Sequence, residues 1–301
     1  MEENKMASVN QIVTDRIIEK IEDAIKTGAK LPWQQPWCAE QAPMNYSTGK
    51  YYRGCNLWLL DTGEYITFKQ ICDEQKSNPN VKLRKGSKAH MVVYFTVKES
   101  IKNITDEVTG EVTQKESKIP ILRYYYVYDI KDVDGLISRR PTIHYEHEPL
   151  ELAESIINNY IDREKSLRLS FNSGEKACYR PLSDEISVPS KHLYKNLAEY
   201  YSTVFHECAH STGHQTRLNR IKVGASFGSD AYSKEELTAE MAACILCSEC
   251  GIDNTEAADN SVAYLKGWLA ALKNDVTLLV SASSRAQKAA DFILNKNTFE
   301  I

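Results

Sequence analysis

The chain of 301 residues is 42% hydrophobic and 26% charged, with 37 Lys and Arg against 41 Asp and Glu; this is an ordinary balance for a soluble globular protein of one large or two medium domains. A net charge of −4 argues against a strongly basic nucleic-acid binder. No apolar run approaches the roughly 18 residues of a membrane span, and the polar start MEENKMASVN lacks a secretory layout, so no membrane segment and a cytoplasmic location are expected.

In chain order, residues 8–27 place Val13, Ile17, Ile21 and Ile25 at four-residue intervals, which predicts an amphipathic helix stopped by Gly28. LPWQQPW (31–37) reads as an extended loop, because Pro32 and Pro36 exclude a regular helix. A turn-rich stretch over 44–54 and a short helix over 65–75 follow. Residues 81–97 read as a basic turn feeding a buried strand. A second β-rich run, 116–130, pairs with it across a polar hairpin at 105–111. Turn residues outnumber core candidates over 132–149, which places the linker there.

Beyond the linker the pattern turns mostly helical. Helices are expected over 149–163, from about Leu193 to Thr212, over 233–251 up to Gly251, and in NSVAYLKGWLAALKND and SSRAQKAADFIL; a two-stranded hairpin is expected over 177–189. The fold class is therefore α+β in two domains, 1–140 and 150–301. Charge divides mildly along the same line, with 21 basic against 19 acidic residues before 141 and 16 against 22 after it.

The chemistry concentrates in FHECAHSTGH (205–214), which sets His206 and His210 four positions apart with Glu207 after the first. On a helix this spacing puts both imidazoles on one face, each able to approach the same ion to about 2 Å. Glu207, about 100° round the helix, is placed to reach a metal-bound water rather than the metal. A metal that acidifies the water and a carboxylate that moves its proton are the parts peptide hydrolysis needs. His214 lies roughly 12 Å along the axis from His206, too far to share its ion. Glu236 and Glu240, four apart on the following helix, are the remaining candidates for a third ligand. Glu236 is assigned as ligand and Glu240 as the group orienting a ligand histidine, with the reverse left open; Glu235 is expected to point elsewhere. Zinc is the default ion for two histidines and a glutamate, and manganese can occupy such a site. The eight cysteines are scattered, as small hydrophobes are in a reducing cytoplasm. Cys244, Cys247 and Cys250 have no second C-x-x-C to complete a thiolate cluster.

With these segments in hand, the chain resembles the ArdC-type antirestriction proteins of conjugative plasmids and related mobile elements, over nearly its whole length. In the first half the resemblance rests on VTDRIIEKIEDAIKTGAKLPWQQPW, YRGCNLWLL, ITFKQ, LRKGSKAHMVVYF and YVYDIKDVDGL. In the second it rests on FHECAHSTGHQTRLNR, YSKEELTAEMAA and SVAYLKGWLAALKND followed by SSRAQKAADFIL. Cys208 inside the motif and a short SFGSDAYS segment depart from the pattern. The resemblance implies an N-terminal single-stranded-DNA-binding domain and a C-terminal zincin-like metallopeptidase. It implies His206 and His210 as ligands, Glu207 as catalytic carboxylate and a glutamate of EELTAE as third ligand. It also implies that the protein shields incoming mobile DNA from host restriction.

Single-strand binders combine a basic groove with aromatic platforms for bases. Trp33, Trp37, Tyr51, Tyr52, Arg53, Lys82, Arg84, Lys85 and Lys88 form such a set, whereas Trp58, in NLWLL, suits core packing better. Two rivals stand beside this expectation. One is a DNA-binding antirestriction protein whose metal site is structural and non-catalytic. The other is a stand-alone metalloprotease whose first domain recognises proteins.

Overall fold

The computed structural model describes residues 8–27, 42–105, 112–140, 149–173, 176–194, 196–221, 230–253 and 262–296. Helix α1 (Val9–Thr27) buries Val13, Ile17, Ile21 and Ala24. Ile25, the fourth member of the expected stripe, is 37% exposed. Each four-residue step overshoots a full turn by about 40°, which leaves Ala24 about 20° from Val13 and Ile25 about 120° away.

Along the first half follow β1 (Met44–Asn45), α2 (Asn56–Leu59), β2 (Glu64–Ile66), α3 (Phe68–Ser77), β3 (Lys82–Leu83), β4 (His90–Thr105), β5 (Val112–Asp129) and β6 (Val133–Asp134). One sheet has the order β1–β2–β5–β4, and β3 pairs separately with β6. Strands β4 and β5 form a long antiparallel ribbon in continuous register from His90↔Val127 to Thr105↔Val112. This is the expected pairing, although the turn itself, 106–111, lies outside the described residues. Helix α3 starts later than expected because Glu64–Ile66 is strand. A capping box then opens it: the Gln70 N–H donates to Thr67 Oγ1 at 3.2 Å and the Thr67 N–H donates to Gln70 Oε1 at 2.9 Å.

The position of the linker needs correction. Residues 132–140 are tied to the first half through β6 and through Arg140, which donates to the carbonyls of Ala42 and Gly63 at 3.0 and 2.8 Å. The buried Glu64 carboxylate also accepts from the Arg139 N–H and the Ser138 hydroxyl. Those hydrogen bonds offset the cost of burying a polar carboxyl group.

The second half comprises α4 (Pro149–Arg163), β7 (Arg168–Asn172), β8 (Cys178–Arg180), β9 (Glu185–Pro189), α5 (Leu197–Ser211), α6 (Asp230–Glu249), α7 (Val262–Asn274) and α8 (Leu278–Ile293). The expected hairpin is β8–β9; β7, not anticipated, joins β9 in parallel and makes a three-stranded sheet. One hydrophobic core runs through both halves, with α1 and α2 contributing beside α5, α6 and α8. Trp58, 1% exposed, sits within it and donates its indole N–H to Ser283 Oγ at 3.0 Å. Thr14 donates to the Val276 carbonyl at 2.7 Å, and Arg53 pairs with the buried Asp291 carboxylate. Among the described residues no helix is long and apolar enough to cross a membrane.

Candidate metal centre

Helix α5 starts at Asn196, whose side chain accepts the Glu199 N–H at 2.8 Å. It packs along α6, which buries Leu237, Thr238, Ala239, Met241 and Ala242 completely. That burial turns the glutamates of α6 toward the H-E-x-x-H face. His206 Nε2 and His210 Nε2 stand 3.1 Å apart. Glu236 Oε2 lies 3.6 Å from the first and Glu236 Oε1 3.4 Å from the second. Four tetrahedral bonds of about 2.0–2.1 Å hold their donor atoms about 3.3 Å apart, so this triangle has the size a single cation requires. Among the described residues it is the one group of three His, Cys, Asp or Glu donors that closes within 4.8 Å.

The outward nitrogens of both imidazoles also face carboxylates. Glu240 Oε2 stands 3.4 Å from His206 Nδ1. Glu235 Oε1 stands 3.5 Å from His210 Nδ1, and this corrects the expectation that Glu235 points elsewhere. Burial works to lower the His206 pKa, but Glu236, Glu240 and the charge of Glu207 outweigh it and hold it well above the ordinary value. For Glu236, burial alone would raise the pKa; the two imidazoles hold it far below the usual carboxylate range. In the absence of an ion the Glu236 carboxylate and the two imidazoles thus stabilise each other's charged forms. Glu207 is itself buried, on α5 between the histidines.

The end of α5 is held by its own sequence. The last four carbonyls of a helix have no partner within it, and here each finds one. Cys208 O accepts from Thr212 N and Ser211 Oγ, His210 O from Gly213 N, Ala209 O from Arg220 and Ser211 O from Arg217 Nε. Gly213 is required by close approach, since a Cβ there would lie 2.7 Å from Ile221 Cγ1. Arg217, 1% exposed along its side chain, also pairs with Asp184 in the turn just before β9, while Ser166 and Tyr179 donate to the same carboxylate. His214 lies in this turn, its Nδ1 2.8 Å from Thr216 Oγ1, and takes no part in the cluster. Cys208, Cys244, Cys247 and Cys250 are buried in the core.

The residues expected to meet DNA are placed less uniformly. Trp33 and Trp37 lie outside the described residues. Tyr52 is only 9% exposed and packs edge-on against Tyr65 beneath the sheet, so it supports the fold and offers no free ring face. Arg53 faces Asp291. Lys82, Arg84, Lys85 and Lys88 are exposed around the β3–β4 turn, Arg84 sharing its charge with Asp134 at 2.8 Å. Tyr94, Phe95, Tyr124 and Tyr126, exposed on the β4–β5 ribbon, were not singled out from sequence. Alternation along each strand was the available signal, but it does not say which face another element covers.

An H-E-x-x-H helix faced by a glutamate of the next helix, beside a small mixed sheet, is the arrangement of a zincin-like domain, and residues 159–285 match the family model described as zincin-like metallopeptidase. Residues 7–128 match the model for the N-terminal domain of anti-restriction factor ArdC. The crystal structure of the antirestriction ArdC protein from plasmid R388, metal-free, superposes with a TM-score of 0.71 at 31% identity, covering 96% of this chain and 98% of that one. Its Mn(II)-bound structure gives 0.69 at 28% identity, covering 98% and 100%. The uncharacterized protein y4eC of Sinorhizobium fredii (strain NBRC 101917 / NGR234) is 30% identical over 290 residues, 93% of this chain and 91% of that protein. Two Escherichia coli proteins named DNA primase TraC are 29% and 30% identical across 96% and 95% of this chain, which spans only 28% and 20% of their length. The chain belongs to the ArdC-type antirestriction family.

Proposed function

We propose that the protein binds single-stranded DNA through its first half, carries a metal-dependent peptidase in its second, and protects incoming mobile-element DNA from restriction in the cytoplasm. The observation that carries the peptidase is the triangle of His206, His210 and Glu236, sized for one cation and flanked by Glu207 on the same helix. The donor set suits zinc and admits manganese, and the Mn(II)-bound ArdC relative supports a divalent ion. An ion held there supplies Lewis acidity to a peptide carbonyl and lowers the pKa of water. Glu207 takes the proton of the attacking water and passes it to the leaving amine. Glu240 holds the His206 ring by its outer nitrogen.

Support for DNA binding comes from the exposed basic turn around Lys82, Lys85 and Lys88 and from the ribbon tyrosines. A strand bound there raises the effective concentration of DNA-bound protein targets at the peptidase. The discriminating experiment compares the parent with Glu207→Gln, both metal-loaded, for proteolysis or self-cleavage with and without single-stranded DNA. Activity lost in the variant at unchanged metal content is the expected result. Equal cleavage by both proteins overturns the role of Glu207. No cleavage by either favours a structural metal site in a DNA-binding protein.

A further inference from the structure

We infer that Glu235 and Arg220 together form a positioning unit for His210, setting the orientation and tautomer of the ring that faces the cation. The inference rests on the reading of His206, His210 and Glu236 as ligands and adds residues to it. A histidine that binds a metal through Nε2 must carry its proton on Nδ1, and a fixed acceptor at Nδ1 selects that form. Both imidazoles have such an acceptor, Glu240 for His206 and Glu235 for His210, each carboxylate oxygen 3.4–3.5 Å from the outer nitrogen.

What distinguishes Glu235 is how it is held. Arg220 grips both of its oxygens, Nη2 to Oε1 at 2.7 Å and Nε to Oε2 at 3.2 Å, the fork geometry that lysine cannot reproduce. The same guanidinium donates to the Ala209 carbonyl at 2.9 Å and to Thr212 Oγ1 at 2.7 Å, in the last turn of α5. His210 stands in that turn. The contacts therefore close a circuit: His210 against Glu235, Glu235 on Arg220, Arg220 on the backbone beside His210. A carboxylate on α6 and an imidazole on α5 cannot shift relative to each other without breaking it. Neither Arg220 nor Glu235 is loose at the surface, their side chains being 8% and 15% exposed.

The circuit also explains why adjacent glutamates do different work. With both oxygens taken by Arg220, Glu235 is not free to swing into the cluster, which leaves Glu236 facing the two Nε2 atoms. The chain turn that delivers Arg220 depends on Asn219 at φ 50° and on backbone bonds from Leu218 N to Thr212 O and from Arg220 N to Gly213 O. All of the unit lies in two short segments, 209–220 and the start of α6.

The test uses the full chain with zinc, in Glu235→Gln and, as a second variant that keeps the positive charge but not the fork, Arg220→Lys. Zinc affinity is read by competition with a chromophoric chelator, folding by circular dichroism, and ring protonation by proton NMR of the histidine Nδ1–H signals in the zinc-loaded protein. The expected result is a roughly 10–100-fold loss of affinity in both variants at unchanged secondary structure, with the His210 Nδ1–H signal moved or lost and that of His206 kept. Glu240→Gln should do the converse. Parent-like affinity and an unmoved His210 signal in both variants overturn the positioning role while leaving the metal site intact. A parent that binds no zinc overturns the ligand reading and this inference together.

Discussion

Replacing Asp184 by Asn should destabilise the protein by an amount that shrinks in acid. In the folded chain burial acts to raise the Asp184 pKa, but hydrogen bonds from Arg217, Ser166 and Tyr179 win and hold it at about 2. The unfolded value is near 3.8, and the difference corresponds to about 2.5 kcal/mol of stability. Because the folded pKa is depressed, that stability is fully present above the unfolded value and is lost as pH falls through about 2. At pH 3 about 1 kcal/mol of it should already be gone. The substitution also leaves the Arg217 guanidinium, 1% exposed, with Glu164 at 3.7 Å as its remaining ionic neighbour. Breaking one side of such a buried pair typically costs about 3–5 kcal/mol at neutral pH. Urea unfolding of parent and Asp184→Asn at pH 7, 4 and 3 measures both effects. A gap below about 1 kcal/mol at pH 7, or one that does not narrow by pH 3, refutes the assignment of this ion pair as a clamp on the end of α5.

His210→Ala and Glu236→Ala should each abolish stoichiometric metal uptake, measured by elemental analysis, whereas Glu240→Gln should retain the ion with roughly 10–100-fold weaker affinity. Tyr124→Ala with Tyr126→Ala should weaken single-stranded oligonucleotide binding by about 1–3 kcal/mol per base unstacked, and Lys85→Ala with Lys88→Ala should flatten its salt dependence by about 0.7 per phosphate contact; fluorescence anisotropy across a salt series reads both. Trp58→Ala should cost about 3–5 kcal/mol in chemical denaturation without changing DNA affinity, since its ring and N–H are spent on Ser283 and the shared core.

The motif helix was legible because its information is local. Four-residue spacing sets His206 and His210 on one helical face whatever the rest of the chain does, and the structure brings their Nε2 atoms to 3.1 Å. The amphipathic pattern of α1 was equally visible, apart from the drift that exposes Ile25 and buries Ala24. The β4–β5 pairing could be expected from two β-rich runs close in sequence, while β7 was missed because its partner β9 lies in parallel beyond another strand. Tyr52 and Tyr124 look alike in sequence, both in tyrosine-rich stretches, yet one is sealed under the sheet and the other faces solvent.

By itself, then, the sequence determined which helix sets His206 and His210 together on one face, and the α+β class of the chain, because periodicity and spacing along one element do not depend on distant partners. Tertiary structure alone brought Glu235 to the outer nitrogen of His210, set Arg220 on Glu235, and carried one core across both halves. Those depend on how far α6 is rotated about its axis against α5, and that rotation is set by the burial of Leu237, Met241 and their neighbours, a balance of packing that no local pattern encodes.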